Sequence, residues 1–156
     1  MSETVLEIHL SSLKHNYQFL RKRLANSTKL LAVVKAFGYG SDAHAVASCL
    51  ADCGADYFGV AYVHEGVALR KAGITQPILV LHPQEPNLKT AIEYRLEPGL
   101  YSQRIFDAFL HALKQTNTEN YPVHLKFNTG LNRLGFQPNQ ANQLLELLKQ
   151  NSNLLQ

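Results

Sequence analysis

Five short apolar runs, each followed by a stretch with helical periodicity, are the feature that most constrains the fold of this chain. The runs are LLAVVK (30–35), YFGVA (57–61), PILVLH (77–82), EPGLY (97–101) and VHLKFN (123–128). Strands this apolar are typical of a parallel sheet that is buried on both faces. A strand-then-helix repeat of about 20 to 25 residues predicts an α/β fold, either a doubly wound sheet or a (β/α)₈ TIM-type barrel.

The segments between these runs place apolar residues at helical spacing. The helical stripes comprise Ala43, Val46, Ala47 and Leu50; Val67, Leu69 and Arg70; Ile105, Phe109, Ala112 and Leu113; and Leu144, Leu147 and Leu148. We expect Gly73 to end the second of these helices and Pro138 to begin the last. The pattern therefore supplies the helices that a parallel sheet needs to connect its strands.

The first residues predict a different element. Residues 1–10 are expected to form a leading strand, because apolar and polar side chains alternate along positions 4–10. Ser11 and Ser12 then offer an N-cap for a helix. Residues 11–156 form the rest of the domain, and if that domain is a barrel it has five strands where eight are required. The prediction is an incomplete (β/α) barrel, the N-terminal part of a longer one.

Composition excludes several functional classes. Apolar residues make up 46% of the 156 residues and charged residues 17%, which predicts a folded globular domain. The net charge is +3 without a clustered basic face, so no nucleic-acid partner is expected. No apolar run could cross a bilayer and no signal peptide is visible, which favours a cytoplasmic protein without membrane contact. Cys49 and Cys53 are interpreted as small buried residues on one helix face, and no metal site is expected.

Lys35 is unusual because it ends an apolar strand. In parallel α/β folds the carboxyl ends of the strands carry the chemistry. An amine that is buried among apolar groups loses its proton more readily and can then attack an aldehyde. Lys35 is therefore a candidate Schiff-base lysine, and the alternative is a lysine that simply extends into water.

A second interpretation of the same region is a dinucleotide-binding turn. Residues 38–43 spell G-x-G-x-x-A after a strand and before a helix, and Glu65 lies where a ribose-binding acid would be expected. Lys35 just before the first glycine and the bulky Tyr39 between the two glycines depart from that pattern. A dinucleotide-binding oxidoreductase domain is therefore the alternative on these residues.

The segment VHLKFNTGLNRLGF (123–136) carries a second group of candidate residues. Its strand brings Lys126 and Asn128 to the carboxyl end, and Arg133 follows in a loop. An arginine above a strand end suits an anion such as a carboxylate, phosphate or phenolate. A solvent-exposed surface arginine is the alternative.

Together, AVVKAFGYG (32–40) and HLKFNTGLNRLGF (124–136) resemble the N-terminal part of alanine racemase. The segment FGVAYVHEGVALRKAGITQPILVL (58–81) is similar to the second and third barrel units of that family. The family's lysine motif is Lys-Ala-Asn-Ala-Tyr-Gly-His-Gly, in which Lys35, Tyr39 and Gly40 match. The Phe-Gly-Tyr-Gly variant is most similar to the racemase half of bacterial fusions between a Mur ligase and alanine racemase.

The resemblance implies a pyridoxal 5'-phosphate enzyme that interconverts L- and D-alanine for peptidoglycan synthesis. It implies that Lys35 is the catalytic lysine and carries the cofactor as a Schiff base, and that the hydroxyl of Tyr39 binds the cofactor phosphate. Arg133 would contact the cofactor phenolic oxygen and the substrate carboxylate. Lys126 matches a lysine that is often carbamylated in the family. Asn128 stands where the family usually has aspartate.

The resemblance also implies what lies outside this sequence. In the family the second catalytic base is a tyrosine from the C-terminal domain of the partner subunit, and no such domain is visible here. The isolated chain is therefore expected to be inactive and to associate, most simply as a homodimer, because an open barrel exposes its inner face. That face is predicted to include Leu31, Val33, Val60 and Leu79. A non-catalytic barrel that only binds pyridoxal phosphate is the alternative.

Overall fold

Five parallel strands alternate with helices along residues 4–156, the part of the chain that the computed structural model describes. The helices are α1 (Leu10–Arg21), α2 (Lys35–Tyr39), α3 (Ala43–Asp52), α4 (Val63–Lys71), α5 (Leu88–Glu93), α6 (Gln103–Gln115) and α7 (Ala141–Gln150). The strands are β1 (Leu31–Val33), β2 (Tyr57–Val60), β3 (Ile78–Val80), β4 (Glu97–Leu100) and β5 (His124–Leu125). Short 3₁₀ turns at Glu85–Asn87 and Pro138–Gln140 lead into α5 and α7.

The order of the strands in the sheet decides between the two predicted architectures. The strands lie in the order β1-β2-β3-β4-β5, and every neighbouring pair is parallel. A doubly wound sheet reverses its strand order at a switch point, which is where such folds bind dinucleotides. The described sheet has no such reversal. It is an arc of a barrel, which confirms the predicted partial barrel and removes the basis for the dinucleotide-binding alternative.

The helices cover one face of the sheet. Side chains alternate between the two faces of a strand, and Phe58, Val60 and Ile78 are fully buried in the core against the helices. On the inner face Leu31 and Val33 remain 39% and 38% exposed. The prediction that these two residues line the inner face is therefore confirmed.

Two further inner-face predictions depend on the strand register. Gly59 pairs with Val33 on one side and with Leu79 on the other. A β-carbon at Gly59 would lie 3.1 Å from the Leu31 side chain, so this position faces inward. Leu79 was correctly predicted on this face. The prediction of Val60 on this face was wrong, because Val60 is the residue after Gly59 and its side chain therefore points toward the helices.

The predicted leading strand over residues 1–10 is absent from residues 4–9, which form no regular secondary structure. Residues 1–3 lie outside the described part of the chain. A strand needs a neighbour to take up its backbone hydrogen bonds, and among the described residues no strand runs beside this segment. Val5 is accordingly 74% exposed. Alternation alone was therefore an insufficient signal.

The predicted helices are present, with two differences. Gly73 follows α4 with φ +90°, and Pro138 begins the turn that leads into α7, as expected. The cap of α1 is His9 rather than a serine, since Ser11 and Ser12 lie within the helix. Helix α5 was missed because its six residues are too few to display a 3.6-residue period.

Helix α3 carries Cys49, and Cys53 caps its carboxyl end. Both are free thiols and are partly rather than fully buried. Burial raises the pKa of the Cys49 thiol, with a smaller contribution from Cys53. Within residues 4–156, no helix combines the length and the apolar character needed to cross a membrane.

Candidate active site

A cavity of about 470 Å³ opens at the carboxyl ends of the strands. Its lining residues are Lys35, Ala61, Tyr62, Leu81, His82, Lys126, Arg133 and Leu134. The structure thus brings together Lys35, Lys126 and Arg133, three of the four residues predicted for the site. Tyr39 is 65% exposed and is not among the lining residues.

Lys35 enters this cavity from a left-handed turn. Segment α2 differs from an ordinary helix, because Ala36, Phe37, Gly38 and Tyr39 have φ values of 51°, 58°, 66° and 57°. Left-handed backbone costs a residue with a β-carbon about 1–2 kcal/mol. Within the turn, Gly38 N–H donates to the Val34 carbonyl and Gly40 N–H to the Ala36 carbonyl, both at 3.0 Å. The lysine therefore stands where the chain leaves the strand in a sharp, strained turn.

The carboxylate of Glu65 links this turn to the next strand. Its Oε1 accepts a hydrogen bond from Ala36 N–H at 2.8 Å. Its Oε2 accepts from Ala61 N–H at 2.6 Å and from Tyr62 N–H at 3.1 Å. Both oxygens are therefore used by backbone groups. This arrangement differs from the ribose-binding role that the dinucleotide alternative gave to Glu65.

The loop after β5 folds back over its own strand and carries Arg133 to the cavity. Asn128 organises the loop, because its Oδ1 accepts from Gly130 N–H at 3.1 Å and from Asn132 N–H at 3.0 Å. Its Nδ2 also donates to Asn132 Oδ1 at 2.8 Å. Asn132 itself is left-handed, with φ +54°. The loop turns back at this point, so that Lys126 and Arg133, seven positions apart in the sequence, line the same cavity.

The cavity is rich in positive charge. Lys35, Lys126 and Arg133 all line it, and no carboxylate is among its lining residues. Within the described part of the chain, none of these three cations forms an ion pair. Like charges that share a site repel each other unless an anion lies between them. The geometry therefore suits a ligand with anionic groups.

Comparison with known proteins identifies the family. The family model "Alanine racemase, N-terminal domain" matches residues 8–156. The chain belongs to the alanine racemase family. An alanine racemase of Nostoc sp. (strain PCC 7120) is 38% identical over 148 residues, which cover 92% of this chain and 38% of that protein.

Solved structures agree with this assignment. Alanine racemase from Clostridium difficile 630 superposes with a TM-score of 0.89 at 31% identity, over 99% of this chain and 42% of that one. The same enzyme in complex with cycloserine gives a TM-score of 0.84 at 32% identity, over 90% of this chain and 39% of that one. The chain thus spans about two fifths of the length of these alanine racemases.

The cavity also contains two ring-bearing residues that were not predicted from the sequence, Tyr62 and His82. Their ring centroids lie 5.5 Å apart, and the ring of His82 lies 5.3 Å from that of Tyr101. The three rings form a wall along the ends of β2, β3 and β4. Tyr101 follows β4 directly, and Tyr62 and His82 lie two residues beyond the ends of β2 and β3. The attention to strand ends that singled out Lys35 could therefore have found them.

A second polar cluster lies at the opposite end of this alanine racemase domain. Tyr57, Glu97 and His124 are the first residues of β2, β4 and β5. Glu97 is buried; it accepts a hydrogen bond from the Tyr57 hydroxyl, and its Oε2 lies 2.8 Å from His124 Nε2. Burial, and then the hydrogen bond to Glu97, raise the pKa of Tyr57. The signal in the sequence was a glutamate at the start of an otherwise apolar strand.

Proposed function

We propose that this chain forms the first five strand–helix units of a pyridoxal-phosphate-dependent alanine racemase and carries its cofactor-binding lysine. The observation that supports the proposal most directly is the shared cavity of Lys35, Lys126 and Arg133 at the carboxyl ends of the strands. Membership of the alanine racemase family supports the choice of reaction. The related enzyme described in complex with cycloserine supports a small-molecule substrate.

The residues present suit pyridoxal phosphate. A cavity of about 470 Å³ is in the usual range of about 300–1,000 Å³ for a small ligand or cofactor. Its lining offers one primary amine at a strand end together with two further cations, and the cofactor carries an aldehyde, a phenolic oxygen and a phosphate. When bound, the cofactor supplies an electron-accepting ring that makes the α-proton of an amino acid acidic.

Each cation has a distinct role in this proposal. The Lys35 amine would hold the cofactor covalently and, when free, would be the general base for the α-proton on one face. The Arg133 guanidinium would bind the substrate carboxylate and contact the phenolic oxygen of the cofactor. Lys126, if its ammonium group lost two protons and its nitrogen added carbon dioxide, would become a carbamate anion that pairs with Arg133. Tyr39, which does not line this cavity, would bind the phosphate through its hydroxyl.

The proposal also covers the setting of the enzyme. We place it in the cytoplasm as a homodimer, in which a partner subunit supplies the second base. Because the proposal gives residues 4–156 a base for one face only, these residues would not form D-alanine by themselves. Its fusion to a Mur ligase remains a prediction from the Phe37 to Gly40 sequence.

Reduction with borohydride in the presence of pyridoxal phosphate, followed by peptide mapping, tests the anchor. The label is expected on Lys35 and absent from the variant Lys35→Ala. Lys29→Ala is the matched control, since Lys29 is an exposed lysine just before the same strand and its removal should leave the labelling of Lys35 unchanged. A label on Lys126 or Lys29, with none on Lys35, would contradict the proposal.

A barrel that merely carries the cofactor would be labelled in the same way. Exchange of the alanine α-proton for deuterium by the loaded chain separates the two functions, since exchange requires the base at Lys35. Arg133→Ala should reduce the exchange while Lys35 is still labelled, because the substrate carboxylate is no longer held. Labelling without any exchange would favour the carrier.

A further inference from the structure

We propose that Glu65 is a positioning residue for Lys35, through the backbone of the turn that carries the lysine into the cavity. The proposal rests on the proposed function for its chemical consequence, and on the hydrogen bonds of Glu65 for its structural part. Glu65 is not among the residues that line the cavity. It therefore acts on the lysine indirectly and does not contact the cofactor or the substrate.

The two oxygens of Glu65 are divided between two strand ends. Oε1 accepts from Ala36 N–H, which belongs to the peptide bond directly after Lys35. Oε2 accepts from Ala61 and Tyr62, which follow β2 and line the same cavity. One carboxylate thus sets the distance between the cavity wall that holds the lysine and the wall formed by the next strand.

Lys35 is held on both sides by these contacts. On the strand side, Val34 N–H donates to the Gly59 carbonyl at 2.9 Å, which is part of the sheet. On the turn side, Ala36 N–H donates to Glu65 at 2.8 Å. The peptide group after the lysine is therefore fixed to Glu65, and the peptide group that precedes Val34 is fixed to Gly59, another residue of the second strand–helix unit. This limits the directions in which its side chain can leave the backbone.

The turn needs such an external contact. Ala36, Phe37 and Tyr39 all have positive φ although each carries a β-carbon, and strained backbone persists only where its surroundings determine it. Hydrogen bonds to an ionised acceptor are roughly twice as strong as those between neutral groups. Glu65 supplies one at the first residue of the strained segment.

The test uses the full chain and the variant Glu65→Gln, which keeps the side-chain length but has a single acceptor oxygen. The measured quantity is the rate at which pyridoxal phosphate and borohydride label Lys35, relative to Lys29 in the same molecule. We expect this ratio to fall about tenfold or more, because a misplacement of about 1 Å can cost about 100-fold in rate. The induced circular dichroism of the bound cofactor should also change, since it reports orientation.

Asp42→Ala is the matched control. Asp42 also accepts a backbone N–H, that of Ala45 at 2.9 Å, and caps α3 just after the same turn. Its loss should reduce stability in the same way without touching the peptide after Lys35. The control is expected to keep the labelling ratio within about twofold of wild type. An equal fall in both variants would overturn the proposal, because the effect would then follow stability alone.

Hydrogen exchange of the backbone amides in residues 34–41 gives a readout that does not require the cofactor. Glu65→Gln should increase exchange in this segment while Asp42→Ala leaves Ala36 protected. If wild-type Lys35 is not labelled at all, the proposed function fails. The hydrogen exchange of the backbone amides then decides the role of Glu65 by itself. If wild type is labelled and Glu65→Gln is labelled equally fast, the positioning role is wrong and the proposed function stands.

Discussion

Phe136 donates its backbone N–H to the carbonyl oxygen of Lys126 at 2.8 Å, and Asn128 N–H returns a bond to Phe136 at the same distance. These two bonds close the loop that contains Arg133, so that Lys126 and Arg133 line one cavity. Backbone contacts therefore bring two cations to the same cavity, where they would repel each other. A bound anion would relieve the repulsion between the two cations and would be stabilised by their charges.

Gly135 is expected to be essential for this loop. A β-carbon at this position would lie 2.5 Å from Asn128 N and 2.6 Å from the carbonyl carbon of Phe127, and its φ is +132°. Gly135→Ala should therefore lower the free energy of unfolding by about 3 kcal/mol, from overpacking and backbone strain together. The control Gly130→Ala has φ +119° with open space around it, and should cost about 1 kcal/mol. Urea denaturation measures both, and equal losses would contradict the steric argument.

The positive cavity should favour a phosphorylated ligand. Pyridoxal, which lacks the phosphate, is expected to label Lys35 about tenfold more slowly than pyridoxal phosphate at low salt. Sodium chloride should narrow this difference, because mobile ions screen charges that are partly exposed to solvent. Arg133→Ala should also reduce the difference between the two labelling rates, because it removes one positive charge from the cavity. Equal labelling rates for the two aldehydes would show that the positive charge of the cavity does not attract the phosphate.

The sequence predicted those features of the site that depend on strand ends. Lys35 and Lys126 were located by the ends of apolar runs, and strand ends converge in any parallel α/β fold. The role of Arg133 came from its loop and from the family motif. These three residues do share a cavity, whereas the chemical role of each remains a prediction.

The sequence did not predict the left-handed turn. Phe37 and Tyr39 have no local preference for positive φ, and the contact that holds the turn comes from Glu65, 29 positions beyond Ala36. No local pattern encodes such a contact. The prediction of a leading strand failed for a related reason. The alternation of apolar and polar side chains in residues 4–10 does not show whether a neighbouring strand exists.

The cluster at the amino ends of the strands predicts a loss of stability at high pH. The pKa of Tyr57 is raised from its ordinary value of 10.0. The raised pKa stabilises the folded protein at pH values below the ordinary tyrosine pKa. This stabilisation is lost as the pH rises through the pKa that Tyr57 has in the folded protein. The free energy of unfolding should therefore fall above about pH 10. Denaturation curves from pH 8 to 11 should show a smaller fall for Tyr57→Phe, and parallel curves would contradict the assignment.

Removal of the Tyr57 hydroxyl should also lower the free energy of unfolding at neutral pH. Glu97 is buried and loses one of its two side-chain partners in Tyr57→Phe. We expect a loss of about 1–3 kcal/mol, the usual penalty for an unsatisfied buried polar group. A double-mutant cycle with Glu97→Gln measures the coupling directly. A coupling energy of zero would mean that water replaces the hydroxyl.

The open inner face predicts self-association of the 156-residue chain. Leu31 and Val33 are more than a third exposed on this face, and unpaired sheet edges and apolar faces promote contact between chains. Light scattering behind a sizing column should show a dimer or larger species, and Val33→Lys should shift it toward monomer. The control Val5→Lys, at an exposed site outside the sheet, should leave the size of the species unchanged. A stable wild-type monomer of 17.5 kDa would contradict the prediction.

The strand order β1-β2-β3-β4-β5 also sets the sequence in which this domain can assemble during synthesis. Each strand pairs with the one made just before it, so each new unit can add to an edge that already exists, and contacts between near neighbours in the chain form quickly. The turn at Lys35 can be fixed as soon as the second unit brings Glu65 out of the ribosome. The cavity acquires Arg133 only with the fifth unit, so a nascent chain can complete the turn at Lys35 before the cavity has its arginine.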